Sequence, residues 1–386
     1  MSEVARAPDM TWPGGGCPSI CLVAELPPPA GGMAVQAERL GRALRAQGHS
    51  LRNVRTNALA HGSPVRRVPG LRGIVNWALY APRLLVGTLR CRILHVFSNS
   101  GLSFFLFSMP AIVFGRLAGR RVVVHYHGGA AQEFLAAAAG IVVPLLRLAH
   151  VIVVPSPFLR RVFDRYGIAV VEIANLVTLV DPSARPTSRP NPRLLTARNL
   201  TPVYNIACAL RTFARVCQRF AHAELLVAGD GPERGKLERL AGRLGVLDRV
   251  RFLGSIDNAR LRELMCECDV LVNTSRTDNQ PVSVMEAFAS GLPVVSTNVG
   301  GIPDLVTDGV DGLLAQVAAE GHERQVGVVP EGLRRVGTVR EARVGARTGS
   351  LADVIRLGAA VVLHGVPLVH SSVTDRAPLE TAASGG

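Results

Sequence analysis

The sequence predicts an α/β protein made of two Rossmann-like domains that face a cleft. Three observations lead to this fold class. Buried strand patterns alternate with amphipathic helix patterns, the alternation occurs twice along the 386 residues, and a proline- and serine-rich segment, DPSARPTSRPNP at 181–192, separates the two sets as a linker. A hydrophobic share of 48% fits a chain that buries a core. Ligands of such sheets bind at the carboxyl ends of the strands, so we expect the functional residues there.

The first half opens with a predicted strand, SICLVAEL at 19–26, followed by a glycine-containing loop and a helix that ends at Gly48. This strand–loop–helix order is the first unit of a parallel sheet. The apolar runs RILHVFS, RVVVHYHG and VIVVPS predict further buried strands, with helical stretches between them. We place this domain at 17–180, after a proline- and glycine-rich N-terminus, 1–16, that we expect to be disordered.

The second half repeats the alternation from residue 193. Four runs, RLLTAR, AELLVAGDG, RVRFLGSI and DVLVNTS, predict strands that alternate with helices. The stretch TDNQPVSVMEAFASGLPVVSTNVGGIPD then gives a loop, a helix that opens after Pro281 and stops at Gly291, a short buried strand and a glycine turn. We place this domain at 193–317. Residues 318–386 show no amphipathic period, and we expect a poorly ordered tail that a protease would trim readily.

Charge and composition narrow the function classes. The chain has 43 basic and 29 acidic residues, a net charge of +14, which favours acidic ligands such as a nucleotide diphosphate or an anionic membrane face. Aromatic residues make up only 5%, and no basic cluster is interleaved with them, so we expect no nucleic acid partner. The seven cysteines form no framework, and the N-terminus shows no secretory pattern. We therefore expect reduced thiols and a cytoplasmic protein.

Two apolar stretches resemble membrane spans but are too short or too interrupted to cross a bilayer. Residues 101–115 contain Pro110, and the run GIVVPLLRLAHVIVV is interrupted by Arg147 and His150. A different stretch, 66–92, carries several arginines around an aromatic pair, which suits either a membrane-surface segment or an ordinary solvated face. We keep both interpretations, and with the first the protein would lie peripherally on the inner membrane face.

The loop and helix at 277–289 suit a phosphorylated ligand. A helix that begins near Val282 and Ser283 presents unpaired backbone N–H groups and the positive end of its dipole, which together form an anion site. A diphosphate bound there would leave Glu286 close enough to accept hydrogen bonds from ribose hydroxyls. Asp278, in the loop before the helix, could hold hydroxyls of a sugar on the far side of the diphosphate, because carboxylates accept short charge-assisted bonds.

Together these motifs resemble the retaining glycosyltransferases of family 4, which have the GT-B fold. The family pattern has two acids with seven residues between them, a proline in that interval, a Glu-Ala-x-Ala-x-Gly-x-Pro-Val-Val run and a Gly-Gly-x-Pro. The matching residues are Asp278, Pro281, Glu286, Ala287, Ala289, Gly291, Pro293, Val294, Val295, Gly300, Gly301 and Pro303. VAGDGPER, DRVRFLGSI and the N-terminal PPPAGGMA with LGRALRAQGH match further landmarks, so the resemblance covers roughly 19–315.

The resemblance implies an activity. The protein would move a sugar from a nucleotide diphosphate sugar to a glycan or lipid-linked acceptor, with retention of anomeric configuration, as in polysaccharide biosynthesis. It would use no metal and no cofactor beyond the donor substrate. Glu286 would bind the donor ribose, Asp278 the transferred sugar, and Arg198 would neutralise the diphosphate as it leaves.

The resemblance also implies supporting roles. The backbone amides of Asn279 and Gln280 would face the sugar, and His127 would lie near it. His127 is also explained by a polar residue satisfied at a strand end. Gly31 and Gly32 would let the loop after the first strand approach the donor phosphates, which requires the absence of a Cβ.

The sequence departs from the family at three places. Asp278 stands where glutamate is usual, Tyr204 stands where lysine is usual, and no family-like helices are recognisable after Ala315. Alternative functions therefore remain open: a nucleotide-sugar epimerase or phosphorylase on the same fold, or an inactive truncated relic. A nicotinamide oxidoreductase is disfavoured because the first strand leads into PPPAGGMA, which lacks the G-x-G-x-x-G fingerprint.

Overall fold

The structure is a computed structural model, and it describes residues 18–27, 31–59, 71–178 and 191–315. The predicted N-terminal segment and the predicted tail lie outside the described residues. So does the predicted linker, apart from its last two residues.

The first domain is a six-stranded parallel sheet in the order β2-β1-β3-β4-β5-β6. Its strands are β1 Ile20–Ala24, β2 Leu51–Arg55, β3 Ile93–Ser98, β4 Arg121–Tyr126, β5 Val151–Val154 and β6 Val171–Glu172. Its helices are α1 Gly32–Ala46, α2 Leu71–Leu89, α3 Met109–Leu117, α4 Ala131–Arg147 and α5 Pro157–Asp164, and a π-helical turn, Phe104–Ser108, precedes α3.

Helices cover both faces of this sheet, which explains why its central strands are apolar throughout. In β1, Leu22 packs with the α1 residue Leu40 on one face. The next residue, Val23, packs with Leu84 of α2 on the other face. A strand that is buried on both sides reads as a continuous hydrophobic run, as ICLVA does.

The second domain is also a six-stranded parallel sheet, in the order β12-β11-β10-β7-β8-β9. Its strands are β7 Arg193–Ala197, β8 Glu224–Ala228, β9 Val250–Gly254, β10 Val270–Asn273, β11 Val294–Thr297 and β12 Gly312–Ala315. Its helices are α6 Ile206–Arg219, α7 Arg234–Arg243, α8 Asn258–Glu267, α9 Val282–Ala289 and α10 Ile302–Leu305. The strand order reverses between β7 and β10, and a crevice opens at such a reversal, beyond the strand ends.

The predicted α/β class with two parallel sheets is confirmed, and the sequence analysis missed three strands. β2 has a single buried residue, and β6 is only two residues long. β12 follows a turn and pairs with β11. None of the three has an apolar run long enough to predict a strand, so their pairing comes from the neighbouring strand rather than from local pattern.

The aromatic pair of α2 is divided between surface and interior. Trp77 is 45% exposed, as a surface role requires, but Tyr80 is fully buried. The Tyr80 hydroxyl donates to the carbonyl of Phe107 at 2.7 Å, and its ring packs edge-on against the Phe107 ring. The prediction that Tyr80 belongs to a surface-facing set is therefore wrong, because its ring fills the space between α2 and the turn before α3. No described helix combines the length and apolar character needed to span a bilayer.

We expect Tyr80→Phe to lower the free energy of unfolding by about 1 kcal/mol or more, because the buried carbonyl of Phe107 loses its donor. Urea denaturation followed by circular dichroism measures this change. Tyr166→Phe is the matched control, because its hydroxyl makes no hydrogen bond within the described residues and lies nearer the surface. Equal stability of Tyr80→Phe and wild type would contradict the assigned hydrogen bond.

Candidate active site

A cleft lies between the carboxyl ends of the two sheets, and both domains line it. From the first domain come the start of α1 and its preceding loop, and from the second come the loops after β7, β8 and β9 and the start of α9. The lining residues are Gly31, Gly32, Val35, Ala197, Arg198, Asn199, Tyr204, Ala228, Gly229, Ser255, Ile256, Asn258, Leu261, Val282, Ser283 and Glu286. Six of the ten residues predicted for the site from the sequence therefore lie together in one cleft.

Gly31 and Gly32 form the wall contributed by the first domain. A Cβ at Gly31 would meet nothing within 4 Å, and a Cβ at Gly32 would meet only the side chain of Val282, at 3.6 Å. Neither glycine has a positive φ. No close contact or backbone strain in the described protein therefore requires glycine here, which leaves the open space in front of the loop as the place where an absent side chain matters.

The start of α9 forms the opposite wall. Pro281 precedes the helix with extended backbone angles, and its carbonyl accepts from the N–H groups of Val284 and Met285. The N–H groups of Val282 and Ser283 have no partner within the described residues, as expected for the first turn of a helix. The predicted anion site at this terminus is therefore geometrically available and faces the cleft.

Glu286 lies one turn further along α9 and is only 3% exposed. Its Oε1 accepts from Nη2 of Arg39, which reaches across from α1, at 2.5 Å. A second guanidinium nitrogen of Arg39 donates to the carbonyl of Leu176 at 2.5 Å. Oε2 of Glu286 has no protein partner among the described residues, so the carboxylate is charge-compensated and oriented while one oxygen remains available.

Arg198 and Asp278 meet at the point where the second sheet reverses its strand order. Arg198 follows β7, and its Nη2 donates to Oδ2 of Asp278 while its Nε donates to Asn273 at 3.2 Å. The guanidinium carbon lies 4.8 Å from the centre of the Tyr204 ring. Tyr204, which replaces the lysine expected from the resemblance, therefore supports Arg198 by a cation–π contact. Burial raises the pKa of Tyr204, so the phenol stays neutral.

Glycines allow the loops of this site to pack backbone against backbone. A Cβ at Gly229 would lie 2.0 Å from the carbonyl oxygen of Arg198, and one at Gly300 would lie 1.9 Å from that of Asp278. Both glycines also have positive φ values, 140° and 55°. These glycines therefore determine the positions of the two loops that hold the Arg198–Asp278 pair.

Asn279 and Gln280 do not line the cleft. The side-chain oxygen of Asn279 accepts from the Ser156 hydroxyl, and its backbone N–H donates to Oδ1 of Asp278 at 3.0 Å. Gln280 accepts through Oε1 from the Asn175 N–H at 2.8 Å. The expectation that the Asn279 amide faces a sugar is wrong for this structure, because that amide is already used within the loop. These two side chains connect the domains instead.

His127 follows β4 and belongs to a cluster of aromatic rings outside the cleft lining. Its ring stacks on Phe97 at 5.1 Å between centroids, and the His125 ring lies 4.4 Å away. Its Nε2 is shielded from solvent and makes no hydrogen bond in the described structure. Two residues later, the carbonyl of Gly129 accepts from the Thr277 hydroxyl at 3.3 Å, so the loop that carries His127 reaches the loop that carries Asp278.

Burial keeps the histidine cluster neutral. Burial lowers the pKa of His95 to about 4. Burial, with repulsion from His95 as a second cause, lowers the pKa of His127 to about 3. The pKa of His125 is also far below its usual value, again mainly through burial. His127 can therefore offer a ligand a hydrogen bond but no charge at neutral pH. Within the described part of the chain, no group of three or more His, Cys, Asp or Glu side chains is arranged to hold a metal ion.

Sequence reasoning did not identify Arg39. The α1 residues Gly32, Gln36 and Arg39 follow helical spacing and share the side that faces the second domain. A polar pair on the buried side of an otherwise apolar helix is unusual, and this pattern could have indicated an interdomain contact. Its partner, Glu286, is 247 positions away, which no local pattern reveals.

We expect the free energy of unfolding to fall as the pH drops from about 6.5, the pKa of an unfolded histidine, towards 4. In this window the unfolded chain binds protons that the folded cluster does not, at a cost of up to about 1.4 kcal/mol per pH unit for each histidine. Denaturation at a series of pH values measures the slope. His95→Phe should reduce the slope by one histidine's share, whereas the exposed-site control His222→Gln should not. An unchanged slope in His95→Phe would contradict the neutral buried cluster.

Two protein families match the two domains. Residues 30–180 match Glycosyltransferase Family 4, and residues 191–324 match Glycosyl transferases group 1. The two matched segments meet near the break between the sheets and together contain every residue of the cleft described above.

Curated relatives match parts of the chain. One protein of the human phosphatidylinositol N-acetylglucosaminyltransferase is 36% identical over 93 residues, which is 24% of this chain and 19% of that protein. The N-acetyl-alpha-D-glucosaminyl L-malate synthase of Bacillus anthracis is 34% identical over 124 residues, 32% of each protein. The matched segments thus span between about a fifth and a third of these relatives' own length.

Solved structures match over most of the chain. Anabaena HepE in complex with UDP-glucose superposes with a TM-score of 0.60 over 88% of this chain and 94% of that one, at 18% identity. The sucrose-phosphate synthase of Thermosynechococcus elongatus gives a TM-score of 0.66 over 89% and 98%, also at 18% identity. At these identities the likeness shows the fold, which is GT-B.

Proposed function

Both halves of this chain match glycosyltransferase families, so the chain is a glycosyltransferase of the family 4 type, and we propose that it transfers a sugar from a nucleotide diphosphate sugar to a glycan or lipid-linked acceptor. We propose further that the anomeric configuration is retained. The observation that carries the proposal is one cleft that combines a helix N-terminus with free amides and two paired carboxylates, Glu286 and Asp278.

The donor nucleoside would bind at Glu286. Arg39 holds Oε1 and compensates the charge, which leaves Oε2 to accept from a ribose hydroxyl. A carboxylate that is fixed before the ligand arrives loses little freedom on binding. This arrangement supports a nucleotide donor rather than a free sugar phosphate, because the ribose site lies beyond the anion site at the start of α9.

The diphosphate would bind between the start of α9 and the glycine loop. The free N–H groups of Val282 and Ser283 point the positive helix end at it, and the missing side chains of Gly31 and Gly32 give it room. Arg198 supplies a full positive charge at the same place. A helix N-terminus and an arginine can stabilise a leaving diphosphate, so the proposed reaction uses no metal and no cofactor beyond the donor substrate.

The transferred sugar would lie between the Asp278 loop and the loop that carries His127, which are in contact. In the proposed step the bond between the anomeric carbon and the diphosphate oxygen breaks, and the electron pair leaves with the nucleoside diphosphate. The acceptor oxygen bonds to the anomeric carbon on the same face, and its proton passes to a diphosphate oxygen. Arg198 touches Asp278 and lines the diphosphate site, so it meets the negative charge as it develops.

The relatives suggest which donors to test first. Two of their names refer to an N-acetylglucosaminyl group, and one of these specifies an alpha linkage, which supports retention if the donor is alpha-linked. A solved structure of this fold holds UDP-glucose. We propose that the acceptor binds mainly to the first domain and that the protein is cytoplasmic, peripheral on the inner membrane face, and active in polysaccharide biosynthesis.

A thermal-shift screen tests the proposal, because a ligand that binds only the folded state raises the melting temperature. UDP-N-acetylglucosamine, UDP-glucose and their GDP and ADP counterparts are compared with NAD and free sugars. Nuclear magnetic resonance of the product then reports the anomeric configuration. A donor converted without acceptor would indicate an epimerase instead, and a donor bound but never consumed would indicate an inactive relic. Stabilisation by NAD alone would overturn the assignment.

We expect Glu286→Gln to weaken donor binding by about tenfold, because an amide oxygen accepts a weaker hydrogen bond than a carboxylate. The isosteric change keeps an acceptor for Arg39 and so limits damage to the fold. Isothermal titration calorimetry measures the donor's Kd. Glu238→Gln on α7, whose partner Arg234 is one turn away, is the matched control. Unchanged affinity in Glu286→Gln would exclude the ribose role.

We expect Arg198→Ala to lower kcat by about a hundredfold while changing the donor's KM much less, because the charge it meets grows towards the transition state. Arg198→Lys should recover only part, since a point charge cannot grip two oxygens. Tyr204→Leu should lower kcat several-fold through loss of the ring under the guanidinium, and Tyr204→Phe should not. Steady-state kinetics in which Arg198→Ala changes KM alone would contradict a leaving-group role.

A further inference from the structure

The exposed large hydrophobic side chains of this protein are concentrated on one layer of the first domain. Among the described residues, nine of the twelve lie on α2, α3, α4 or the residues that flank them, and the other three are scattered over the second domain. The nine are Ile74, Trp77, Leu85, Val86, Leu89, Leu102, Leu117, Ile141 and Leu148. We call the outer surface of these three helices the α2–α4 face. Contiguous exposed apolar surface of this kind marks an interaction site more often than chance.

The three helices lie side by side, so the exposed residues form one surface. Tyr80 of α2 bonds to the turn before α3, and Arg120, just after α3, donates to the carbonyl of Leu89 at 2.9 Å. α3 in turn packs against α4. Along α2 itself the exposed residues recur at helical spacing and form a second apolar stripe opposite the buried one. This stripe consists of Ile74, Trp77, Leu85 and Leu89.

The charge around this face has a single sign. The sequence from 39 to 132 contains fourteen arginines and no aspartate or glutamate. The only acid between 71 and 150 is Glu133. Residues 191–315 of the second domain, by contrast, carry fourteen basic and fourteen acidic side chains. The positive charge of the described domains is therefore carried by the domain with the apolar surface, not spread evenly by composition.

We propose that the α2–α4 face docks on the surface of a lipid bilayer that carries anionic headgroups. The exposed side chains would enter the interface between headgroups and acyl chains, and the arginines around them would contact the headgroups. A second copy of the chain fits this face poorly, because two acid-free surfaces would repel each other. Nucleic acid would use the arginines but would leave the leucines and Trp77 in water.

The proposal adds a partner to the proposed transferase, rests on that function only for the acceptor, and places the cleft. In a parallel sheet, crossover helices begin at the carboxyl ends of the strands, so the start of α2 lies at the cleft end of the domain. Ile74 and Trp77 are on that first part of α2. A docked α2–α4 face would therefore hold the mouth of the cleft near the bilayer surface, where a lipid-linked acceptor presents its headgroup.

Co-sedimentation with vesicles tests the docking without any sugar donor. The full chain is mixed with vesicles of phosphatidylcholine alone, or of phosphatidylcholine with an equal share of phosphatidylglycerol. We expect binding to the anionic vesicles to exceed binding to the neutral ones by about tenfold or more, and to weaken in about 1 M salt, where charges are screened within about 3 Å. No binding, or equal binding to both vesicles at low and high salt, would overturn the proposal.

Matched variants locate the surface. Arg83→Glu with Arg90→Glu, and separately Trp77→Ser with Leu85→Ser, should each lower the partition coefficient about tenfold or more. The controls make the same changes on exposed residues of the second domain, Arg239→Glu with Arg243→Glu and Leu247→Ser with Val310→Ser, and should not lower it. Equal losses in controls and variants would overturn the assignment of this face.

Two further measurements separate the possible failures. The thermal shift with nucleotide sugar should be the same in all four paired variants, because none of these residues lines the cleft. A loss of vesicle binding with an unchanged donor shift supports docking by this face, whatever the outcome for the transferase reaction. Light scattering that shows a dimer in wild type and a monomer in Trp77→Ser with Leu85→Ser would overturn the proposal in favour of a second copy.

Discussion

The carboxylate of Glu286 is almost completely removed from water, and the two domains meet where its charge is compensated. A buried carboxylate without a partner is too costly to persist, and removing one member of a buried pair typically costs about 3–5 kcal/mol. Here the partner is Arg39 of the first domain, itself held by the Leu176 carbonyl. Asn279 and Gln280 add further polar bonds from the second domain to the first. The apposition of α1 and α9 across the cleft, and with it the shape of the ligand site, depends on these contacts.

The two domains differ in how they use charge. In the second domain, acids and bases balance, and the functional groups are individual charges held by specific bonds. In the first domain an excess of arginine surrounds exposed apolar side chains, while its own titratable residues near the cleft, the histidine cluster, are kept neutral by burial. The division suits a transferase that binds an anionic donor at one domain and approaches an anionic surface with the other.

Local physics was enough to predict much of the fold and part of the site. Alternation of apolar runs with helical periodicity gave the α/β class and the main strands, and the interval between Pro281 and Gly291 gave α9. The same reasoning brought Glu286, Arg198 and the glycine loop to one cleft, because the strand ends of a parallel sheet lie at one edge. Strands without an apolar run, such as β2 and β12, lack this pattern and were missed.

Which side chains meet depended on the folded chain. Tyr80 and Trp77 look alike in the sequence, yet packing of α2 against the neighbouring helix buries one and exposes the other. Arg39 is one of many arginines until α1 meets α9, and Tyr204 is a missing lysine until its ring lies under Arg198. Periodicity and backbone preference act over a few residues, whereas charge compensation and ring stacking act between segments that are distant in the sequence.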